Sequence, residues 1–151
     1  MREDATPLNE TVLFFDGHCG LCNRAVDFLI AHDNGHRFFF APLQGSTAAA
    51  RLSRDLIPDT LKTSFSAKNS PATSGSVVLL ENGKIFVRSD AVLRALVHIG
   101  GVWKGVQIFR LVPRILRDTL YDLVARNRTR WFGRKADCRV PSASERARFL
   151  P

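Results

Sequence analysis

The stretch that decides the fold is FFDGHCGLCNRAVDFL, residues 14–29. It runs from an apolar segment through Asp16-Gly17 into a pair of cysteines, Cys19 and Cys22, and then into a helical pattern. VLFFD, residues 12–16, reads as a short buried strand, and GHCG as a turn. Leu21, Ala25, Val26, Phe28 and Leu29 then recur at helical spacing. Asn34-Gly35 supplies a left-handed stop for that helix. HRFFFAPL is a second, aromatic-rich strand ended by Pro42.

Further along, residues 45–56 predict a short helix, and residues 57–75, rich in Ser, Thr, Pro and Gly, predict a long loop. In SVVLLENGKIFVRS two β-rich runs flank Asn82-Gly83, a strong hairpin signal. Ser89 or Asp90 is positioned to cap the next helix, whose inward face would be Ala91, Leu93 or Val92, Leu96 and Val97. Gly100-Gly101 ends it, and residues 103–130 are helical again, with Pro113 forcing a kink or a restart. A strand–helix–strand unit requires a parallel pair with a right-handed crossover. The hairpin adds two antiparallel strands. The fold class is therefore α/β, a mixed four-stranded sheet flanked by helices in the order of a thioredoxin-like core, with an extra C-terminal helical segment. We expect one domain over 1–151, with a core of about 11–101 and a basic extension of about 102–151.

Composition sets the outer bounds. A chain of 151 residues is long enough for a real core without disulfide staples. No apolar run approaches the ~20 residues of a membrane span. The N-terminus shows no apolar signal region, so the expected location is the cytoplasm, where thiols stay reduced. The net charge of +8 is unevenly placed. Residues 1–102 hold 10 basic and 10 acidic residues, whereas 103–151 hold 12 basic and 4 acidic. Such a tail suits an anionic partner, whether nucleic acid, a membrane surface or an acidic protein face, or is simply a solvated surface.

The cysteine spacing carries the chemistry. At a strand–helix junction, Cys19 meets the free N–H groups and partial positive charge of the first helical turn, which favour a thiolate. Cys22 lies one turn later on the same side. The expected roles are Cys19 as nucleophile and Cys22 as resolving thiol. Gly20 and Leu21 occupy the middle positions, which tune such a pair. His18 either favours the thiolate or is a solvent-facing turn residue. Asp16 is expected to fix the turn by accepting backbone N–H bonds, with proton acceptance from Cys22 as the other reading. Zinc uses the same spacing, so Cys19 and Cys22 as ligands of a zinc- or anion-binding module remain the alternative. Cys138 is either a buried small hydrophobe or a third redox thiol. The redox reading calls for no cofactor and no metal. Its partners are a disulfide-containing protein or small molecule and an electron donor.

These residues resemble the DCC family of thiol-disulfide oxidoreductases, named for an Asp-x-x-Cys-x-x-Cys start that corresponds here to Asp16, Cys19 and Cys22. VLFFDGHCGLCNRAVDFL resembles the family's opening, FFFAPLQG its second strand, SVVLLENGKIFVRSDAVLRAL its hairpin and third helix, and ARNRTRWFGRKADCRVP its closing segment. The resemblance implies a thioredoxin-like fold and a dithiol–disulfide activity on Cys19 and Cys22. It departs from thioredoxins proper at the position of their cis-proline, which falls near Gly75, with Pro71 too far upstream.

Two expectations concern the basic tail. Phe109, Val112, Leu116, Leu120 and Leu123 share one side of a helical wheel, and Arg110, Arg114, Arg117 and Arg128 another. The favoured reading packs the apolar side on the core with the arginines in water, and the other lays a basic amphipathic helix on a membrane or acidic partner. RNRTRWFGRK, residues 126–135, is weak evidence for nucleic-acid binding. It is expected instead to be a closing segment anchored by Trp131 and Phe132, with arginines able to approach Cys19.

Overall fold

The structure, a computed structural model, describes residues 10–52, 77–136 and 140–151. The helices and strands of the core follow the expected order: β1 (Thr11–Phe15), α1 (Gly20–His32), β2 (Phe38–Pro42), α2 (Ser46–Arg51), β3 (Val78–Glu81), β4 (Lys84–Val87) and α3 (Arg88–Ile99). Gly101–Leu111 then winds as a 3-10 helix, followed by α4 (Arg114–Phe132) and a short 3-10 turn at Arg146–Arg148.

The sheet order is β2-β1-β3-β4. β1 pairs parallel with β2, while β1–β3 and β3–β4 are antiparallel. This is the mixed sheet of a thioredoxin-like core. Strand periodicity divides the buried side chains between its two faces. Leu13, Phe15, Phe38, Phe40 and Leu79 pack with Val26 and Leu29 of α1 and Ala91 and Ala95 of α3. Val12, Phe14, Ala41, Val78, Ile85 and Val87 pack with Ala48 of α2. The hairpin turns at Asn82 and Gly83, whose φ angles of 50° and 73° are the positive values a tight two-residue connection requires.

Several local expectations are corrected. The buried stripe of α1 is Cys22, Asn23, Val26 and Leu29, so Cys22 belongs to the core face while Ala25 is exposed. The left-handed residue after α1 is His36, at φ 48°, not Asn34 or Gly35, because Asp33 caps the helix and ties down the loop that follows. No side chain caps α3. Ser89 and Asp90 fall inside it and point at α4, where Ser89 Oγ donates to Asp118 and Asp90 pairs with Arg114 and Arg117. Of the two outcomes expected at Pro113, a kink or a restart, the structure shows the restart, since α4 begins immediately after it. The loop expected over 57–75, with Gly75 and Pro71, lies outside the described residues, as does Cys138.

The main correction concerns α4. Its inner face is made of Arg117, Tyr121, Val124, Ala125 and Arg128, while Leu116 and Leu123 face outward and Leu120 stands at the rim of the inner face, all three more than half exposed. The favoured expectation had the leucines on the core and the arginines in water. Arg110 and Arg114 are exposed as expected, but polar contacts turn Arg117 and Arg128 inward. Arg117 donates to Asp90 at 2.9 Å and to the Val112 carbonyl at 3.1 Å, and the Tyr121 hydroxyl accepts the Val77 N–H at 3.0 Å.

Arg148 closes the other end of the fold. Its guanidinium pairs with buried Asp33 and donates through Nε to the Phe38 carbonyl at 3.2 Å. Asp33 also accepts the N–H groups of Arg37 and Phe38. The segment so held lets the Leu150 N–H donate to the Phe40 carbonyl at 2.8 Å, extending the sheet at β2 and covering its edge. Removing one partner of a buried pair leaves the other charge uncompensated, at a cost of roughly 3–5 kcal/mol. Arg148→Ala should therefore lower unfolding free energy by about that amount in urea titrations, while exposed Arg146→Ala should stay within about 0.5 kcal/mol of the parent. Equal effects would show that Arg148 does not hold this end.

Candidate functional site

The strand-to-helix junction gathers the expected site residues. Cys19 is the N-cap of α1, in extended geometry, and its Sγ accepts the Cys22 N–H at 3.3 Å. A sulfur thus takes the role usually filled by a hydroxyl or carboxylate oxygen at a helix start. The Asp16 carbonyl accepts the Cys19 N–H at 3.1 Å, and Asp16 Oδ1 accepts the His18 N–H at 3.1 Å. That second bond forms an Asx turn. Asn23 Nδ2 donates to the Gly17 carbonyl at 2.9 Å from within the helix, pinning the loop from below. Both cysteines are free thiols and both are buried, with Cys19 1% and Cys22 5% exposed.

Burial first, then the hydrogen bond to Cys19 and the charge on it, push the Cys22 thiol up to about 12 from an ordinary 9.0. The Arg128 guanidinium and the Asp16 backbone oppose the shift. Arg128 Nη1 lies 3.9 Å from Cys22 Sγ, and its Nη2 lies 3.3 Å from Asp16 Oδ2. Gln44 Nε2 reaches Asp16 Oδ1 at 3.3 Å. Sequence reasoning missed Gln44 and placed Arg128 on the solvent side of its helix. An arginine near the thiols was expected from residues 126–135, but the one that arrives approaches Cys22 instead of Cys19. The available signal was helical phase, because Arg128 is one turn after Val124 and two after Tyr121 on the inner face of α4.

His18 is partly exposed at the turn, with Nδ1 3.9 Å from Asp16 Oδ1. Its carbonyl accepts the Lys135 N–H at 2.9 Å. This begins the cover over Cys19. Gly20 N–H donates to the Gly133 carbonyl at 3.3 Å, and Cys19 forms an isolated antiparallel bridge with Arg134. The closing segment thus lies across Cys19 like an added strand. Phe132 is partly buried with Arg24 over its ring, while Trp131 is 56% exposed and does not anchor the segment. Leu21, the other middle residue, turns instead toward a cavity of about 410 Å3 between α1, α3, the 3-10 helix and α4. Its walls include Leu21, Cys22, Val92, Phe109, Leu120 and Arg128. Cys22 thus lines this apolar cavity and Cys19 does not.

Among the described residues, no group of three or more His, Cys, Asp or Glu side chains is placed to hold a metal ion. Cys19 and Cys22 therefore gain no further ligands there.

Gly20 is a steric requirement of the cover. A Cβ at this position would stand 2.3 Å from the Phe132 carbonyl oxygen and 3.1 Å from that of Gly133. Both atoms are backbone, so the closing segment would have to move. Gly20→Ala should cost about 1–3 kcal/mol and speed alkylation of Cys19 in the folded protein. Unchanged stability and unchanged alkylation together would contradict the described cover.

The comparisons with known proteins agree with this geometry. Residues 13–134 match the model of the DCC1-like thiol-disulfide oxidoreductases. The chain is 36% identical over 140 residues to the uncharacterised protein YuxK of Bacillus subtilis (strain 168), covering 93% of each chain. It is 32% identical over 140 residues to a chloroplastic DCC family protein of Arabidopsis thaliana, covering 92% of this chain and 72% of that one. No solved structure matches it. With the family match spanning the sheet, the cysteine pair and its cover, the chain belongs to the DCC1-like thiol-disulfide oxidoreductase family.

Proposed function

We propose that the protein is a dithiol–disulfide oxidoreductase in which Cys19 is the nucleophile and Cys22 the resolving thiol. The observation that carries this reading is the asymmetry of the pair. Cys19 Sγ receives hydrogen bonds at the start of a helix, while Cys22 holds its proton until about pH 12. Two sulfurs one turn apart therefore differ in their surroundings, which supports a division of roles between them.

The asymmetry also supports a sequence of steps. Cys19, as the thiolate, attacks one sulfur of a substrate disulfide. A mixed disulfide forms and the other substrate sulfur leaves as a thiolate. Two of the three influences that raise the Cys22 thiol, its hydrogen bond to Cys19 and the charge there, end at that moment. Arg128, beside Cys22 Sγ, still favours the thiolate. Cys22 then loses its proton and attacks Cys19 Sγ, expelling the second substrate thiolate. The net change is one substrate disulfide reduced to two thiols and the Cys19–Cys22 dithiol oxidised to a disulfide. An external thiol reductant returns the pair to its starting state. Access to Cys19 requires the segment Gly133–Lys135 to move aside, and a substrate strand pairing at Cys19 would replace the bridge to Arg134.

A small aromatic disulfide with a coloured leaving thiolate tests the roles. Cys19→Ser should abolish turnover. Cys22→Ser should release one equivalent and stop as a mixed disulfide detectable by mass spectrometry. Full turnover in both variants would overturn the assignment.

The raised Cys22 thiol makes a further prediction about pH. Between about pH 9 and pH 12 the unfolded chain loses this proton and the folded chain keeps it. The unfolded state then binds fewer protons, so unfolding free energy falls as pH rises through that window. Denaturant titrations should show a smaller alkaline loss in Cys22→Ala than in the parent. Identical slopes would contradict the raised thiol. In Cys19→Ala the Cys22 thiolate absorbance should appear at lower pH than in the parent, and an unchanged titration would contradict the coupling.

A further inference from the structure

We propose that the outer face formed by the 3-10 helix Gly101–Leu111 and α4 docks on an anionic lipid bilayer. The face has two properties that seldom coincide on a solvated surface. The first is apolar exposure. Neither the 3-10 helix nor α4 has a single buried residue, and Val102, Ile108, Phe109, Leu111, Ile115, Leu116, Leu120, Leu123 and Trp131 are all more than half exposed. Among the described residues, only Val92 and Val140 are large exposed hydrophobics outside this unit. Monomeric soluble proteins scatter such residues singly, whereas nine of them fall on these two consecutive elements.

The second property is charge. Every exposed charged residue from 101 to 136 is basic: Lys104, Arg110, Arg114, Arg126, Arg130, Arg134 and Lys135. The acidic residues of α4, Asp118 and Asp122, are partly buried and paired with Ser89 and with Arg88. On α4 the two properties are interleaved. At 100° per residue, Ile115, Leu116, Leu120, Leu123, Arg126, Arg130 and Trp131 fall within an arc of roughly 160°.

Charge decides the occupant. A second copy of the chain would bring the same basic face against itself, and the like charges would repel. A bilayer with anionic headgroups offers acyl chains for the apolar residues and phosphates for the arginines, the arrangement of an interfacial amphipathic helix. Among the described residues no helix is long and apolar enough to cross a membrane, so the contact is one of lying on the surface. The cavity described above opens beside this face, since its exposed wall residues are Phe109 and Leu120 of these two elements together with Val92 of α3 and Ala25 of α1. Docking would cover that opening with acyl chains instead of water.

The test uses the full chain and sedimented vesicles of phosphatidylcholine, with or without phosphatidylglycerol. The proposal expects co-sedimentation with the anionic vesicles that weakens as salt rises. Arg126→Gln with Arg130→Gln should weaken partitioning by roughly 30-fold, and Ile115→Gln with Leu123→Gln should weaken it as well, each variant keeping the parent's circular dichroism. In a Trp103→Phe background Trp131 is the remaining tryptophan, and its emission should shift to the blue on the same vesicles. The Cys19→Ser, Cys22→Ser double variant should bind as the parent does, which separates docking from the redox reading. No co-sedimentation with anionic vesicles, binding indifferent to the Ile115 and Leu123 changes, or a concentration-dependent dimer that those changes dissolve would each overturn the proposal.

Discussion

An arginine that bridges a carboxylate and a sulfur holds this structure together at its centre. Arg128 comes from the last third of the chain, yet its guanidinium lies between Asp16 Oδ2 and Cys22 Sγ, at the junction where β1 becomes α1. Its side chain is 12% exposed and that of Asp16 9%. A buried charge needs a partner and further hydrogen bonds. Asp16 has them in the His18 N–H and Gln44. The pair fixes where α4 lies, and the position of α4 fixes where Gly133–Lys135 crosses Cys19. Electrostatics at Cys22 and steric cover at Cys19 therefore have one origin.

The same constraint explains the unusual orientation of α4. An amphipathic helix ordinarily buries its apolar stripe on its own domain. Here Arg117, Tyr121 and Arg128 face inward because Asp90, the Val77 N–H and Asp16 wait for them on the core. The helix cannot satisfy those polar groups and bury Leu116, Leu120 and Leu123 at once. Leaving a buried donor or acceptor unmade costs free energy in the same range as burying a leucine yields. The outward leucines are thus a consequence of the polar core contacts, and they are what gives the outer face its mixed apolar and basic character.

How far the sequence carries this picture depends on the range of the interaction. The sheet was legible because β1, β2 and the Asn82-Gly83 hairpin carry local signals of period and turn chemistry. Cys19 and Cys22 were legible because their spacing and their place after a strand are local too. The Asx turn at Asp16 follows from adjacent residues in the same way. Arg128, Gln44 and Arg148 were not singled out. Their partners lie 112, 28 and 115 residues away, and helical phase, which sets Arg128 apart from Arg126 and Arg130, does not say which face the core will take. The burial of Cys19 was hidden for the same reason, since its cover comes from Arg134 and Lys135. Amphipathic pattern alone misplaced α4, because a wheel shows two faces without saying which one the core has partners for.

The central claim is that Cys19 and Cys22 form one redox couple. A redox titration of the purified protein in glutathione buffers, read by thiol alkylation and mass spectrometry, tests it most directly. The account predicts a single reversible two-electron transition between dithiol and Cys19–Cys22 disulfide, within the roughly −270 to −120 mV spanned by thioredoxin-like proteins. Both thiols staying reduced across that range, or glutathione adding to them separately without an internal disulfide, would contradict it.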